Sequence, residues 1–338
     1  MKAFITGVSG QDGSLLARYL LNRGYHVTGG YRRGLGKLWR LQHLGLIDKI
    51  SLVDYEIGNS EDLAFFLRDS KFTEIYHFAR VSRTSDSFHH PRSTVNTNLN
   101  GVMEILEAAR LGQLDSKIFI AGSSEIFGSY QGDNSRNERS TVLPSNPYGV
   151  AHSASKFLCD IYRNIHSLSI YYGMLFNHES YLRDSIFVTK KLATEFFEVF
   201  SGDREYIEIG NFETSRDWGL ATEFVRAMYE IMQKGEPGNY VFGTGKLHTL
   251  KELISALGDL FGFQLVYELA DGLWEGRDAR TGKLMVKTNP RYLRPFDTPG
   301  TTGDSKLLKQ ITGINFTSDV SALARCLIDP NLTNEFAK

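Results

Sequence analysis

The stretch from Lys2 to Leu20 restricts the possible folds more than any other. Lys2 to Thr6 reads as a short buried strand, Gly7-Val8-Ser9-Gly10-Gln11-Asp12-Gly13 breaks it, and Ser14 to Asn22 carries helical apolar spacing through Leu15, Leu16, Tyr19 and Leu20. Gly7, Gly10 and Gly13 give a G-x-x-G-x-x-G turn between strand and helix. The missing side chains let backbone N–H groups and the helix N-terminus approach a pyrophosphate, with Gln11 and Asp12 inside the turn. A strand that enters a helix through such a turn predicts an α/β fold with a doubly wound parallel sheet.

The next segments repeat the alternation. Gly24 ends the helix, and Tyr25 to Tyr31 reads as a second strand finishing in Tyr31-Arg32-Arg33. An acidic residue here would accept a ribose 2′-OH, whereas arginines suit a 2′-phosphate, so NADP is favoured over NAD. Ser51 to Tyr55 is the third strand, followed by Glu56-Ile57 and a helix from about Ser60. Glu74 to Phe78 is the fourth, running into Ala79-Arg80-Val81-Ser82. A helix from about Thr94 to Leu111 leads to the fifth, Lys117 to Ala121. Strands alternating with helices call for right-handed crossovers and a ligand at the carboxyl edge of the sheet. Gly7, Gly10, Gln11, Asp12, Gly13, Arg32, Arg33, Glu56, Ile57, Phe78, Ala79, Arg80 and Ser82 are the expected cofactor-side residues, with Ser82 also able to meet a substrate.

The chemistry is concentrated between Ile120 and Asp160, where IAGSSEIFG is followed by SNPYGVAHSASKFLCD. Ser123 and Glu125 stand just past a strand end, and Tyr148 heads a long helix expected to run to Ser167. A tyrosine can act as acid or base towards a sugar hydroxyl, a serine can hydrogen-bond the same oxygen, and a carboxylate can remove or return a carbon-bound proton. Gly132, Pro144 and Pro147 mark a loop able to fold over these groups. Beyond a sixth strand, Ile170 to Phe176, the pattern is less regular, with helices expected around Thr222 to Gln233 and Thr249 to Phe261. Arg183, Lys190, Lys191, Arg216, Arg291 and Arg294 recur in loops. Arginine forks bind phosphate bidentately, and the aromatic residues beside Arg216 and Arg291 can stack a base.

Composition excludes several classes. The chain has 338 residues, room for one large domain or a large and a small one, and its 41% apolar and 23% charged residues are ordinary for a globular protein. A net charge of -1 gives no basis for non-specific nucleic-acid or membrane binding. Cys159 and Cys326 make neither a disulfide framework nor a metal cluster, so no metal and a reducing cytoplasm are expected. The start lacks the pattern of a signal peptide, and no run approaches the roughly 20 apolar residues that span a bilayer.

Taken together the segments resemble the extended short-chain dehydrogenase/reductase superfamily, and within it the GDP-mannose 4,6-dehydratase family, almost end to end. The resemblance rests on GVSGQDGS, the Arg32-Arg33 pair, SSEIFG, NPYGVA, FNHES with FVTKK, GNFETSRDWG, the TG-x-x-H from Thr244 to His248, and PRYLRP followed by GDSK. It implies a Rossmann domain over residues 1–175 that binds NADP. It also implies a smaller domain, mainly 176–338, that binds a GDP-sugar and returns some segments to the first. In this resemblance Tyr148 matches the catalytic tyrosine and Glu125 the glutamate that handles the sugar C5 proton. Ser123 stands where the family usually has threonine. His178 and Arg183 match later cofactor contacts, and Asn177, Val188, Lys191, Asn211, Arg216 and Arg294 fall where the family holds the GDP-sugar. A homodimer or homotetramer is implied as well.

Some residues depart from the family pattern. The family motif Tyr-x-x-x-Lys is here Tyr148-Gly149-Val150-Ala151-His152. The lysine hydrogen-bonds the nicotinamide ribose and its charge lowers the tyrosine pKa. A histidine, with an unperturbed pKa of about 6.5, keeps the hydrogen bond and largely loses the charge at neutral pH. Exchange of His152 for lysine is therefore expected to raise activity. Lys156 lies roughly 12 Å beyond Tyr148 along the helix and cannot substitute. Arg80 replaces a small residue and is a candidate source of the missing charge; Glu56 replaces an aspartate, and Ser93 a tyrosine. Three readings stay open: a GDP-sugar 4,6-dehydratase, a C4 oxidase, reductase or epimerase using the same pocket, and a catalytically weakened nucleotide-sugar-binding paralogue.

Overall fold

The computed structural model describes every residue except 33, 35–37, 57–59, 129–134, 294–299 and 329–338. Arg33, Ile57, Gly132 and Arg294 lie outside the described residues. The chain divides into two compact units, one of Met1–Phe176, Ala221–Phe242 and Gly303–Asn315, the other of Asn177–Leu220, Gly243–Thr302 and Phe316–Lys338.

The first unit is built on strands β1 (Lys2–Thr6), β2 (His26–Tyr31), β3 (Ser51–Asp54), β4 (Glu74–His77), β5 (Lys117–Ala121) and β6 (Ile170–Leu175), joined by a last strand Gly238–Phe242. They form a seven-stranded sheet ordered Gly238–Phe242, β6, β5, β4, β1, β2, β3. All its pairings are parallel. Phe4, Ile5, Ile75, Tyr76, Ile118, Phe119, Ile120, Tyr172 and Met174 are fully buried. Helices on both faces exclude water from the sheet, which is why these strands read as unbroken apolar runs rather than alternating ones.

Helix α1 (Gln11–Leu21) packs on Ala221–Lys234, and α2 (Ser60–Ser70) packs on α3 (Gly101–Leu111). The helix expected from Thr94 is present in pieces: Pro91–Val95, a π turn at Asn96–Asn100, then α3. The wide turn has a local use. Buried Asn98 accepts a hydrogen bond from the Val81 N–H at 2.8 Å and donates to the Val81 carbonyl at 3.1 Å, fixing the loop after β4. Helix α4 (Pro147–His166) follows the expected span closely.

The second unit holds a four-stranded sheet ordered Leu265–Ala270, Leu273–Asp278, Leu284–Thr288, Ile207–Ile209. Helices Val188–Ser201, Leu250–Leu260 and Val320–Leu327 supply its core with Phe196, Leu253, Leu257 and Leu323, against Met285 and Val286. A capping box between Thr249 and Glu252 starts the Leu250–Leu260 helix. No helix among the described residues is long and apolar enough to cross a membrane.

Candidate active site

The strand order reverses between β1 and β4, and the crevice at such a reversal is where parallel α/β sheets take their ligands. The glycine turn sits there. Gly7 has φ +67°, and a Cβ on it would lie 2.8 Å from the Ala79 nitrogen; one on Gly13 would lie 2.4 Å from the Gly7 carbonyl oxygen. Both glycines are thus required by close backbone approach, and Gly7 by its conformation as well. Gly7 N–H donates to the Gly30 carbonyl, and Gly10 N–H to the Gly7 carbonyl, both at 2.9 Å. The N-cap residue of α1, Gly10, provides no side-chain cap. Thr6 Oγ1 accepts from the N–H groups of Phe78 and Ala79 at 3.2 and 3.3 Å, tying the end of β1 to the loop after β4. This cradle fits a dinucleotide. Arg32 and Glu56 lie exposed past β2 and β3, and Ser82 exposed past β4.

The expected catalytic groups gather past β5. Ser123 caps a short 3-10 turn, Ser124–Phe127, by accepting from the Glu125 N–H at 3.2 Å. Asn146 joins this turn to α4. Its Oδ1 accepts from the Gly149 N–H at 2.8 Å, capping the helix, while its Nδ2 donates to Glu125 Oε2 at 2.7 Å. Pro147 at the first helical position presets the backbone. The approach is close enough that a Cβ on Gly149 would stand 2.5 Å from the Glu125 carbonyl oxygen. One asparagine therefore orients both the carboxylate and the helix that carries Tyr148. Tyr148 is buried, with its ring centroid 4.4 Å from that of His152 at 63°.

His152 is 2% exposed, and its Nε2 has no hydrogen-bond partner. Burial first, then Arg80, then His77, hold its pKa well below the ordinary histidine range. The same causes, burial and Arg80, hold His77 down to about 3; its Nδ1 lies 2.9 Å from Thr6 Oγ1. Arg80 Nη1 donates to the carbonyl oxygens of Ala121 and Gly122 at 3.0 and 2.9 Å, and Nη2 lies 4.0 Å from Asp12 Oδ2. Lys156 is engaged elsewhere, 2.8 Å from Asp160.

In the second unit His178 is buried, and Arg183 pairs with Glu179 at 3.0 Å and stacks over Phe187 at 3.7 Å. Asn177 lies in register with Trp218, two residues from Arg216. Lys191 reaches the Glu208 carbonyl at 3.3 Å and the Tyr292 ring at 4.5 Å, and Gly210, next to Asn211, packs on the Tyr292 carbonyl. Asn177, Val188 and Asn211 are exposed, Lys191 and Arg216 half-buried.

The sequence reading missed Asn146, Asn98, His77 and Arg40, whose guanidinium braces the glycine turn through the Ser9 carbonyl at 3.2 Å. Only Asn146 carried a signal, as the asparagine before a helix-opening proline.

A parallel sheet with a glycine turn at its point of reversal, and serine, carboxylate and tyrosine past the neighbouring strand, defines a Rossmann-type extended short-chain dehydrogenase/reductase. The GDP-mannose 4,6 dehydratase family matches residues 4–325, and the chain belongs to that family. A GDP-mannose 4,6-dehydratase of Sinorhizobium fredii is 33% identical over 98% of this chain and 96% of its own length. Among solved structures, dTDP-glucose 4,6-dehydratase of Bacillus anthracis in complex with NAD superposes with a TM-score of 0.77 at 17% identity, covering 96% of each chain. RMD of Pseudomonas aeruginosa complexed with NADPH gives 0.75 at 18% identity, covering 97% of this chain and 98% of the other. At these identities the structural likeness is one of fold.

Proposed function

We propose that this protein is a cytoplasmic, homo-oligomeric nucleotide-sugar 4,6-dehydratase acting on GDP-mannose or a related GDP-hexose or GDP-heptose, with NADP as its cofactor. The observation that carries the reading is Asn146, which holds Glu125 by 2.7 Å and caps the helix of Tyr148 by 2.8 Å. Simple carbonyl reduction needs no oriented carboxylate there; abstraction of a proton from carbon does.

Gly7, Gly10 and Gly13, with the N–H groups of Gln11 and Asp12, are assigned to the pyrophosphate, and Arg32 and Arg33 to the 2′-phosphate. Glu56, Ile57, Phe78, Ala79, Arg80, Ser82, His178 and Arg183 are assigned to the rest of the cofactor. The sugar nucleotide is assigned to Ser82, Asn177, Val188, Lys191, Asn211, Arg216 and Arg294. When bound, the nicotinamide would supply the hydride transfer from C4 of the sugar and back to C6. Tyr148 takes the C4 hydroxyl proton, with Ser123 holding that oxygen. The C4 ketone acidifies C5, and Glu125 removes the C5 proton and delivers it to the hydroxyl leaving C6, which departs as water. With hydride back on C6, C5 is reprotonated at the expense of the proton held by Tyr148, which closes a cycle that consumes no external reductant.

Mass spectrometry of the protein incubated with GDP-mannose and NADP+ tests this, with loss of one water expected. If both ligands bind by calorimetry but no dehydrated product forms across a panel of GDP-hexoses and GDP-heptoses, the dehydratase reading fails and the binding-paralogue reading replaces it.

A further inference from the structure

Two buried imidazoles, an arginine and an aspartate occupy the sheet edge beside Tyr148, an unusual density of ionisable groups for a buried position. Arg80 is pinned from two sides, by the Ala121 and Gly122 carbonyls at the end of β5 and by Asp12 at the start of α1, and its side chain is only 15% exposed. A guanidinium stays charged at any working pH, and this one is held in a single place. Its Nη1 is committed to two backbone carbonyls at the end of β5, which fixes the place of the charge.

The charged and titratable groups whose fields reach His152 are Arg80 and His77, from β4 and its following loop, and its ring packs edge-on to Tyr148 of its own helix. Tyr172 of β6 donates to the His152 carbonyl at 2.8 Å, which fixes the backbone and not the ring. Gly122 makes room for that contact, since a Cβ there would stand 2.2 Å from the Tyr172 ring. The imidazole is thus confined, with its Nε2 unpartnered, next to a permanent cation. A positive charge on residue 152 would be buried beside a like charge, which the interior strongly disfavours.

We propose that Arg80 is the resident cation of the hydride-transfer site and that residues 80 and 152 together accommodate a single positive charge, leaving His152 to act as a neutral hydrogen-bonding group towards the cofactor ribose. Arg80 is on this view a positioning residue, acting on the reacting groups through its field and through His152. The proposal rests on the reading of Tyr148 and the glycine cradle as a nicotinamide site. It reverses one expectation from the sequence: His152→Lys alone should harm the enzyme, because Arg80 already provides the charge.

The test is a double-mutant cycle of Arg80→Met and His152→Lys, read in NADPH affinity by fluorescence, in thermal midpoint and in kcat with GDP-mannose. The expected result is that His152→Lys weakens cofactor binding and lowers the midpoint in the native background. In the Arg80→Met background the same change should restore both, with non-additivity of about tenfold in affinity, as for residues in electrostatic contact. Independent effects of the two changes, or tighter NADPH binding by His152→Lys alone, overturn the proposal. Should the Arg80→Met protein not fold, the imidazole nitrogen shifts of the unmodified protein decide instead. A His152 ring that stays neutral from about pH 8 to 5, where a free histidine titrates, supports the proposal, and one that titrates there overturns it. Cofactor affinity, midpoint and imidazole shifts do not depend on which sugar is dehydrated, so failure of the substrate reading leaves this test intact.

Discussion

Asn146 offers the sharpest separation between holding the fold and holding the reaction. It is buried, and its amide makes two bonds with different jobs, Oδ1 to the Gly149 N–H and Nδ2 to Glu125 Oε2. In Asn146→Ala the lost helix cap costs about 1 kcal/mol. The lost bond to a carboxylate would cost about 1.5–3 kcal/mol, and partial exposure of Glu125 places it at the lower end, about 1.5 kcal/mol. The total of roughly 2.5 kcal/mol, in a cooperative unit of roughly 200 residues, lowers the thermal midpoint by roughly 5–10 °C. Asn146→Asp behaves differently. Aspartate caps a helix as well as asparagine does, but it has no N–H for Glu125 and sets a like charge against it. It keeps the cap but loses the bond and gains repulsion, so its midpoint falls too, while kcat falls by about tenfold or more, the order expected when a proton-transferring group is misplaced. Calorimetric melts and steady-state dehydration of GDP-mannose on the same preparations decide the matter. Wild-type kcat in both variants would refute the claim that Asn146 orients Glu125, whatever happens to the midpoint.

Three further outcomes follow from the same geometry. Gly149→Ala forces a Cβ to within 2.5 Å of the Glu125 carbonyl oxygen, so melts should show a loss of about 1–3 kcal/mol and assays a reduced kcat; unchanged melts would refute the close approach. Arg32→Ala should raise KM for NADP+ by about tenfold and leave that for NAD+ unaltered, since a charge-assisted bond to the 2′-phosphate is worth about 1.5–3 kcal/mol; equal effects on both cofactors would remove Arg32 from that role. His77, held down to about 3 in the folded protein, takes up its proton mainly on unfolding. The unfolded chain therefore binds more protons below about pH 6.5, and stability falls by about 1.4 kcal/mol per pH unit from there towards pH 3, levelling off below. Denaturant titrations at pH 7, 6 and 5 on the wild type and His77→Asn should show a shallower slope in the variant; identical slopes would refute the assignment.

Six of the seven strands of the first unit were legible because each is an apolar run bounded by glycine or polar turns, and burial on both faces leaves little room for anything else at β1, β4, β5 and β6; the seventh, Gly238–Phe242, went unread. The hairpin Leu265–Ala270 and Leu273–Asp278 went unread, although its turn carried a usable sign. Asp271 and Gly272 have φ +52° and +77°, the paired positive values that Asp-Gly supplies to a two-residue turn. Apolar residues left exposed on the first strand, Val266 and Leu269, hid the alternation that would have confirmed it. The π turn at Asn96–Asn100 had no such sign, because its asparagines are neutral to the helical pattern and Asn98 is specified by the Val81 backbone it satisfies.

The same difference divides the site. Glu125, Asn146 and Tyr148 lie within one stretch of chain, and a capping asparagine before proline ties them by local rules. Arg80 is separated by 41 residues from the Ala121 carbonyl that holds it, and only the parallel pairing of β4 with β5 makes them neighbours. Read along the chain, His152 is a lost charge; read across the sheet, it is one half of a charge arrangement whose other half lies on the adjacent strand end. Groups that set the electrostatics of a doubly wound site reach it from successive strand ends, so a substitution at one end is interpretable only with the residues at its neighbours. For this chain, a lysine at 152 therefore has to be judged together with residue 80, and an account based on position 152 alone predicts the opposite sign for the exchange.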